Sequence, residues 1–344
     1  MKTRFPNSLC RAFRASGVSG LAGLGLLLSL PAQSVELGLP IDCRIGEDCW
    51  VVNYPDLDPG DDTRDYRCGK ATYNTHKGVD IAVRDNSIMR EGVDILAAAD
   101  GTVVRTRDGM QDINVNEIGL EAIRGKQCGN VVSLSHGDGW YTEYCHLRQN
   151  SILVKKGDRV KAGQSLGKLG LSGLTEFPHI HMHVLHNRKV VDPFLGLGND
   201  GAACGADAKP LWKADVAALM PYKPTALHNV GFATAKPEEK GIRDGLYQDK
   251  ALAPSAPALV IWAEIFNVQK GDKIELRVKG PGGFGFATAK PVAKKRARQF
   301  LYYGRKRKTA AYPKGDYTGT IRLIRRTADG TREVLEANRI ITVK

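Results

Sequence analysis

From Ala71 to Phe194 the apolar positions recur with a period of two in short β-branched runs cut by glycine. Val79-Asp80-Ile81-Ala82-Val83, Gly101-Thr102-Val103-Val104, Val131-Val132-Ser133-Leu134 and Gln164-Ser165-Leu166-Gly167 are the clearest of them. Such alternation predicts an antiparallel β domain. One hairpin can be set in register by hand: Asn130 to Ser135 and Trp140 to His146 read as strands joined by the turn His136-Gly137-Asp138-Gly139, with Ser135 facing Trp140. The charged stretch Arg107 to Gln127 interrupts the rhythm, reads as an insertion beside the core, and holds a short helix candidate over Ile118 to Arg124. Residues 195–221 begin with a run of small residues and are expected as a linker. Over residues 222–344 the strands return as Leu259–Phe266, Lys273–Val278, Gln299–Tyr303, Gly319–Ile324 and Arg339–Val343, which predict an immunoglobulin-like β-sandwich. The heptapeptide Gly231 to Pro237 recurs identically as Gly285 to Pro291, which two equivalent strand ends or coincidence would explain equally well.

The first 34 residues fall outside this pattern. Lys2, Arg4, Arg11 and Arg14 precede an apolar stretch of 14 residues, Gly17 to Leu30, and Ala32-Gln33-Ser34 supplies small residues for cleavage. This predicts an export signal, and the stretch is shorter than the roughly 20 residues a spanning helix needs. No transmembrane helix is expected in the mature chain. The formal net charge is +13, and removing the signal takes away four basic residues and no acidic one, so the remainder stays basic. A basic chain favours encounter with anionic polymers or surfaces; nucleic acid is not the partner expected. The six cysteines after Cys10 are even in number, which in an exported chain predicts disulfides. In the hairpin register Cys128 falls diagonal to Cys145 and is expected to bond with it. The partners of Cys43, Cys49, Cys68 and Cys204 are left open.

Histidine carries the candidate chemistry. In Thr75-His76-Lys77-Gly78-Val79-Asp80 a strand would place 76, 78 and 80 on one face, and Gly78 would leave His76 and Asp80 unobstructed. In Pro178-His179-Ile180-His181-Met182-His183-Val184 the odd positions are imidazoles and the even ones apolar. A strand with that pattern buries Ile180, Met182 and Val184 and turns three imidazoles the other way. Three imidazoles in register repel on protonation unless a metal keeps them neutral. Imidazole and carboxylate donors without thiolate suit zinc, and no Cys-x-x-Cys is present. His136, His186 and His228 carry no such pattern. Gly163-Gln-Ser-Leu-Gly167 and Gly280-Pro-Gly-Gly-Phe-Gly285 spell a nucleophile elbow and a dinucleotide fingerprint, but neither stands in the strand-to-helix context its chemistry needs.

Four ordered motifs between Thr72 and Phe194 resemble the lysostaphin/LytM-type zinc endopeptidases that cut peptidoglycan: His76-x-Gly78-x-Asp80, the segment Gly129 to Leu147, the run Val154 to Gly167, and Pro178-His179-Ile180-His181. The resemblance implies a mainly β chain, with an antiparallel β-sheet metallopeptidase domain over residues 35–194 that includes the insertion 107–127. It implies one zinc ion bound by His76, Asp80 and His181, with His146 and His179 as the catalytic histidines beside it. Tyr73 is expected as an oxyanion partner. The chain departs from the family at Glu176-Phe177, where small residues are common, and at His183, where an acidic residue is common. Phe177 could then line the substrate cleft, and His183 stand behind the ligands or replace one. The implied activity is hydrolysis of peptidoglycan stem peptides or cross-bridges in the periplasm or extracellular envelope. The alternatives are a non-catalytic peptidoglycan-binding or amidase-activating module, or a protease acting on extracellular protein. The basic segment 290–314 is expected as a solvated hairpin, or as a dock for anionic envelope polymer.

Overall fold

The structure, a computed structural model, describes residues 34–326, 330 and 332–344. The export signal expected over residues 1–34 lies, but for Ser34, outside the described residues. The first part of the chain forms strands β1 (Cys49–Asn53), β2 (Val79–Val83), β3 (Asp94–Leu96), β4 (Gly101–Arg107), β5 (Asn130–Gly137), β6 (Trp140–Leu147), β7 (Arg159–Val160), β8 (Ser165–Lys168), β9 (His179–His186) and β10 (Lys189–Val191). The second part forms β11 (Ala226–Ala233), β12 (Ala251–Leu252), β13 (Ala258–Val268), β14 (Lys273–Lys279), β15 (Gly285–Pro291), β16 (Arg296–Lys306), β17 (Gly315–Arg326) and β18 (Arg332–Val343). The chain is mainly β.

The large first sheet runs in the order β1-β2-β9-β6-β5-β4-β7, with β10 beside β9; β3 and β8 make a separate pair. Its ladders are antiparallel. The period-two alternation places Val79, Ile81, Val132, Leu134, Tyr144, Ile180, Met182 and Val184 on one face, where they are almost completely buried. Each such side chain contributes about 1.5–3 kcal/mol over its exposed state. The opposite face of β2 and β9 is thereby left to Asp80, His179, His181 and His183. Residues 195–221 do more than connect: Leu195, Leu211, Trp212, Val216 and Met220 are buried in this same core.

Two local expectations differ from the structure, and one open alternative is decided by it. The β5–β6 hairpin turns on Asp138-Gly139, both at positive φ, so Ser135 faces Tyr141 and Trp140 pairs with Gly137. Two central residues at positive φ make the turn type whose twist suits a hairpin, which a four-residue reading shifts by one. Over 118–124, Gly119 at φ 84° splits the expected helix into Val115–Ile118 and a single 3-10 turn, Glu121–Ile123. The repeated heptapeptide occupies unlike places: Gly231 to Ala233 end β11, whereas Gly285 to Pro291 make the whole of β15.

In the second part, a three-stranded sheet β11-β13-β16 faces a five-stranded sheet β12-β18-β17-β14-β15. Leu259, Ile261, Ala263 and Ile265 of β13 meet Ile274, Leu276, Val278, Tyr317, Ile321 and Ile341 between them. The other face of β13 is covered too. Val260 and Trp262 pack with Ala233 and Ile242, and Phe266 packs with Val52 and Ala82 of the first part and against Phe177. Burial on both faces is why Leu259 to Phe266 is apolar at every position but Glu264.

Candidate metal centre and catalytic histidines

Adjacent antiparallel strands bring the candidate donors together. Asp80 of β2 stands directly opposite His181 of β9, so the two side chains share a face. Asp80 Oδ1 lies 2.8 Å from His181 Nδ1. His76 does not sit on the strand as the spacing suggests; it lies in the turn before β2, where Thr75 takes φ 65° and the His76 amide donates to the Tyr73 carbonyl. From there its Nε2 comes within 3.1 Å of both Asp80 Oδ1 and His181 Nδ1. Gly78 is the residue that permits this approach, because a Cβ there would stand 2.6 Å from the Met182 carbonyl and 2.8 Å from the His181 ring. Asn53 of β1 donates its amide to the second oxygen of Asp80 at 2.9 Å.

The donor set fits a divalent cation. His76 Nδ1 is 2.7 Å from the Tyr54 carbonyl, which can only accept, so a neutral His76 turns a lone pair from Nε2 towards the Asp80 carboxylate. Lone pair against carboxylate is unfavourable unless a proton or a cation lies between them. His76, Asp80 and His181 form a group that could hold a metal ion. Burial raises the Asp80 pKa, but the charges of His76 and His179 and the bonds from His181 and His76 outweigh it and hold the carboxyl well below its ordinary value. Burial lowers His181 to about 4, against the pull of Asp80. Burial also opposes the charged form of His76, whose pKa is nonetheless raised by the neighbouring carboxylate.

Two further imidazoles border this group. His179 Nε2 lies 3.5 Å from Asp80 Oδ1, and its Nδ1 faces the Phe177 carbonyl at 2.9 Å and the Thr175 hydroxyl at 3.1 Å. The His146 ring lies 4.8 Å from that of His179, centroid to centroid. Simple alternation along β6 would send His146 into the core with Tyr144. Instead His146 takes φ 64°, its amide donates to the Cys128 carbonyl, and its Nδ1 lies 2.7 Å from the Ser172 carbonyl. That left-handed residue re-aims the side chain. Burial, with the charges of His179 and His181, pushes the His146 pKa well below its usual value and keeps it neutral.

The remaining candidates are arranged around these five. Tyr73 is half-exposed, with its ring 4.3 Å from the His76 ring. Phe177 lies 4.6 Å from the His179 ring. His183 Nδ1 is 3.4 Å from the far nitrogen of His181, and His183 Nε2 pairs with Glu143 at 2.8 Å. His183 therefore stands behind His181. Cys145 also lies near His181 and His183 but is bonded to Cys128; the other disulfides are Cys43–Cys49 and Cys68–Cys204. Sequence reasoning missed Asn53, Glu143 and Thr175, and the carbonyls of Tyr54, Ser172 and Phe177 leave no mark on side-chain pattern. His136, His186 and His228 lie outside the group, with His136 held by the Asp100 carbonyl and Thr142 and His228 by the Val83 carbonyl.

Residues 74–193 match the sequence model of Peptidase family M23. Over 110 residues, 32% of this chain and 20% of the relative, the sequence is 33% identical to the peptidoglycan DD-endopeptidase ShyA of Vibrio cholerae. Over 123 residues, 36% of this chain and 26% of the relative, it is 30% identical to the murein hydrolase activator NlpD of Escherichia coli. Among solved structures, the catalytic domain of lysostaphin from Staphylococcus simulans aligns at 25% identity over 41% of this chain and 85% of that one, with a TM-score of 0.27. The matched segment spans a quarter or less of the length of the first curated relatives.

Proposed function

We propose that the Peptidase family M23 domain within this chain, residues 74–193, is a zinc endopeptidase that hydrolyses peptide bonds of peptidoglycan in the cell envelope. The observation that carries this reading is the convergence of His76 Nε2, Asp80 Oδ1 and His181 Nδ1 within 2.8–3.1 Å of one another, flanked by His146 and His179. The similarity to a DD-endopeptidase supports the substrate class. The expected export signal and the disulfides support an oxidising compartment outside the cytoplasm. No helix among the described residues is long and apolar enough to cross a membrane.

His76, Asp80 and His181 would hold the zinc ion, with Asn53 and the Tyr54 carbonyl keeping Asp80 and His76 aimed at it. When bound, zinc supplies a Lewis acid that polarises the scissile carbonyl and acidifies an attacking water. The chain's own part is proton transfer. His146 and His179 each engage a backbone carbonyl through Nδ1, which fixes the tautomer and leaves the lone pair on Nε2. One of them takes the proton of the attacking water, and the pair stabilises the developing oxyanion and returns a proton to the leaving amine. Tyr73, at the rim beside His76, adds a hydroxyl to that stabilisation.

Similarity to an activator of murein hydrolases gives a second reading, in which the same fold binds without cutting. Purified sacculi separate the two. Zinc-loaded wild type is expected to release muropeptides, while His181→Ala and chelated wild type release none. Equal results from all three samples leave only the binding module.

A further inference from the structure

Glu176 and Phe177 stand in the loop that leads from Gly173 into β9, and that loop is held from two sides. The insertion holds one: the Val115 amide donates to the Thr175 carbonyl, the Asn114 side chain to the Glu176 carbonyl, and the Leu174 amide to the Gln127 carbonyl. The C-terminal sandwich holds the other. Arg298 of β16 reaches Glu176 Oε2 at 3.3 Å and Glu264 Oε1 of β13 at 3.3 Å, and its guanidinium carbon lies 5.4 Å from the centre of the Phe177 ring. Phe266, the ladder partner of Arg298, meets the same Phe177 ring edge to face at 5.0 Å.

This placement carries an electrostatic cost. Arg298 belongs to the basic segment 290–314, yet its side chain is only 12% exposed, and the Glu264 side chain is 5% exposed. Burying a guanidinium and a carboxylate costs several kcal/mol per ion before their mutual attraction offsets it. Arg298 faces the peptidase because it stands opposite Phe266 in the β13–β16 ladder, on the face that meets the first part of the chain. What it grips carries His179: the Phe177 carbonyl faces His179 Nδ1 at 2.9 Å, and the Thr175 hydroxyl donates to that same carbonyl at 2.7 Å. Fixing Phe177 fixes the imidazole.

We infer that the C-terminal sandwich is a positioning element for the peptidase centre, in which Arg298, braced by Glu264, locks Glu176 and Phe177 and thereby sets the orientation of His179. Glu176 and Phe177 are the side-chain pair that makes the lock. The inference rests on His179 acting in proton transfer, as proposed above. It gives the sandwich a role that needs no ligand of its own. Arg298 acts through Phe177 and the loop backbone and touches no reacting atom.

The test uses the full chain. Arg298→Ala and Phe177→Ala should each lower kcat on peptidoglycan peptides by about 10- to 100-fold, the scale of a small misplacement of a reacting group, with KM changed less than about threefold. The double variant should be no slower than the slower single one, because both break one linkage. Zinc affinity, read by competition with a chelator, should stay within about threefold of wild type, since no donor is touched. Amide exchange in the metal-free protein should quicken over residues 173–179 and stay unchanged over β5 and β6. Glu176→Ala, at an outer position, probes the same linkage without leaving a buried charge and should show a smaller change of the same kind. Wild-type kcat in Arg298→Ala overturns the inference, as does a loss of kcat matched by loss of zinc affinity and by exchange throughout the fold. A zinc-loaded wild type inert on sacculi overturns the peptidase reading itself.

Discussion

Glu143 of β6 stands directly across the ladder from His183 of β9, with its carboxylate 2.8 Å from His183 Nε2. The neighbouring strand thus supplies His183 with a carboxylate partner. Glu143 also takes the Ser133 hydroxyl at 2.7 Å and pairs with Arg105. Burial alone would raise its pKa, but the His183 and Ser133 hydrogen bonds and the nearby cations bring it down to about 2.

A carboxylate with a depressed folded pKa stabilises the fold above its unfolded value and loses that contribution as pH falls towards the folded one. Glu143→Gln should therefore lower the unfolding free energy of the metal-free protein at pH 7. The expected loss is about 1–2 kcal/mol, discounted for partial exposure from the shift's full equivalent. The gap between variant and wild type should close as pH falls from about 4.5 to 2, the window between the unfolded and folded pKa. Urea titrations at pH 7 and pH 3 measure it, and an equal gap at both would contradict the assignment.

His183→Ala tests the same pair from the metal's side. His183 touches His181 only through the nitrogen away from Asp80, at 3.4 Å, so its removal leaves all three donors in place. Groups that orient a ligand are typically worth 10- to 100-fold in metal affinity. Chelator competition should show a loss in that range, and Glu143→Ala should match it. Loss of zinc altogether would instead mean that His183 is itself a ligand.

The β9 segment was legible because strict alternation of imidazole and apolar residues admits one strand orientation, and Ile180, Met182 and Val184 are indeed buried together. The same reasoning mislays His76, which reaches Asp80 from a turn, and His146, whose left-handed backbone breaks the alternation of β6. Both exceptions come from single φ angles that a non-glycine sequence does not advertise. The 195–221 segment misleads for another reason: its first half is small and polar, but Leu211 and Trp212 decide where it packs. Arg298 reads as one more surface cation until its ladder partner and the face of Phe266 are known.

Gly78→Ala asks how closely the donors must approach. The obstacle is backbone as well as side chain, since the new Cβ would lie 2.6 Å from the Met182 carbonyl as well as 2.8 Å from the His181 ring. Strands β2 and β9 would have to separate, or His181 tilt away. Overpacking of this kind costs about 1–3 kcal/mol, and the distorted donor set should bind zinc at least about 10-fold more weakly. Thermal melts with and without zinc read both quantities. A wild-type affinity would show that the glycine serves folding alone.

The disulfides should separate stability from activity. Cys68–Cys204 closes a sequence separation of 136, and Cys128–Cys145 one of 17. Chain entropy makes the longer loop worth about 5 kcal/mol and the shorter about 3 kcal/mol, so replacing Cys68 and Cys204 with serine should cost more in denaturant midpoint. Activity should rank the other way. Cys145 precedes His146, and the Cys128 carbonyl holds the His146 amide at 2.9 Å, so the Cys128–Cys145 bridge ties down the segment that turns His146 towards His179. Under conditions where both serine double variants remain folded, loss of Cys128–Cys145 should lower kcat about 10-fold or more, while loss of Cys68–Cys204 should leave it within about threefold of wild type. Denaturant titration paired with muropeptide release measures both, and equal effects on kcat would contradict a positioning role for the Cys128–Cys145 bridge.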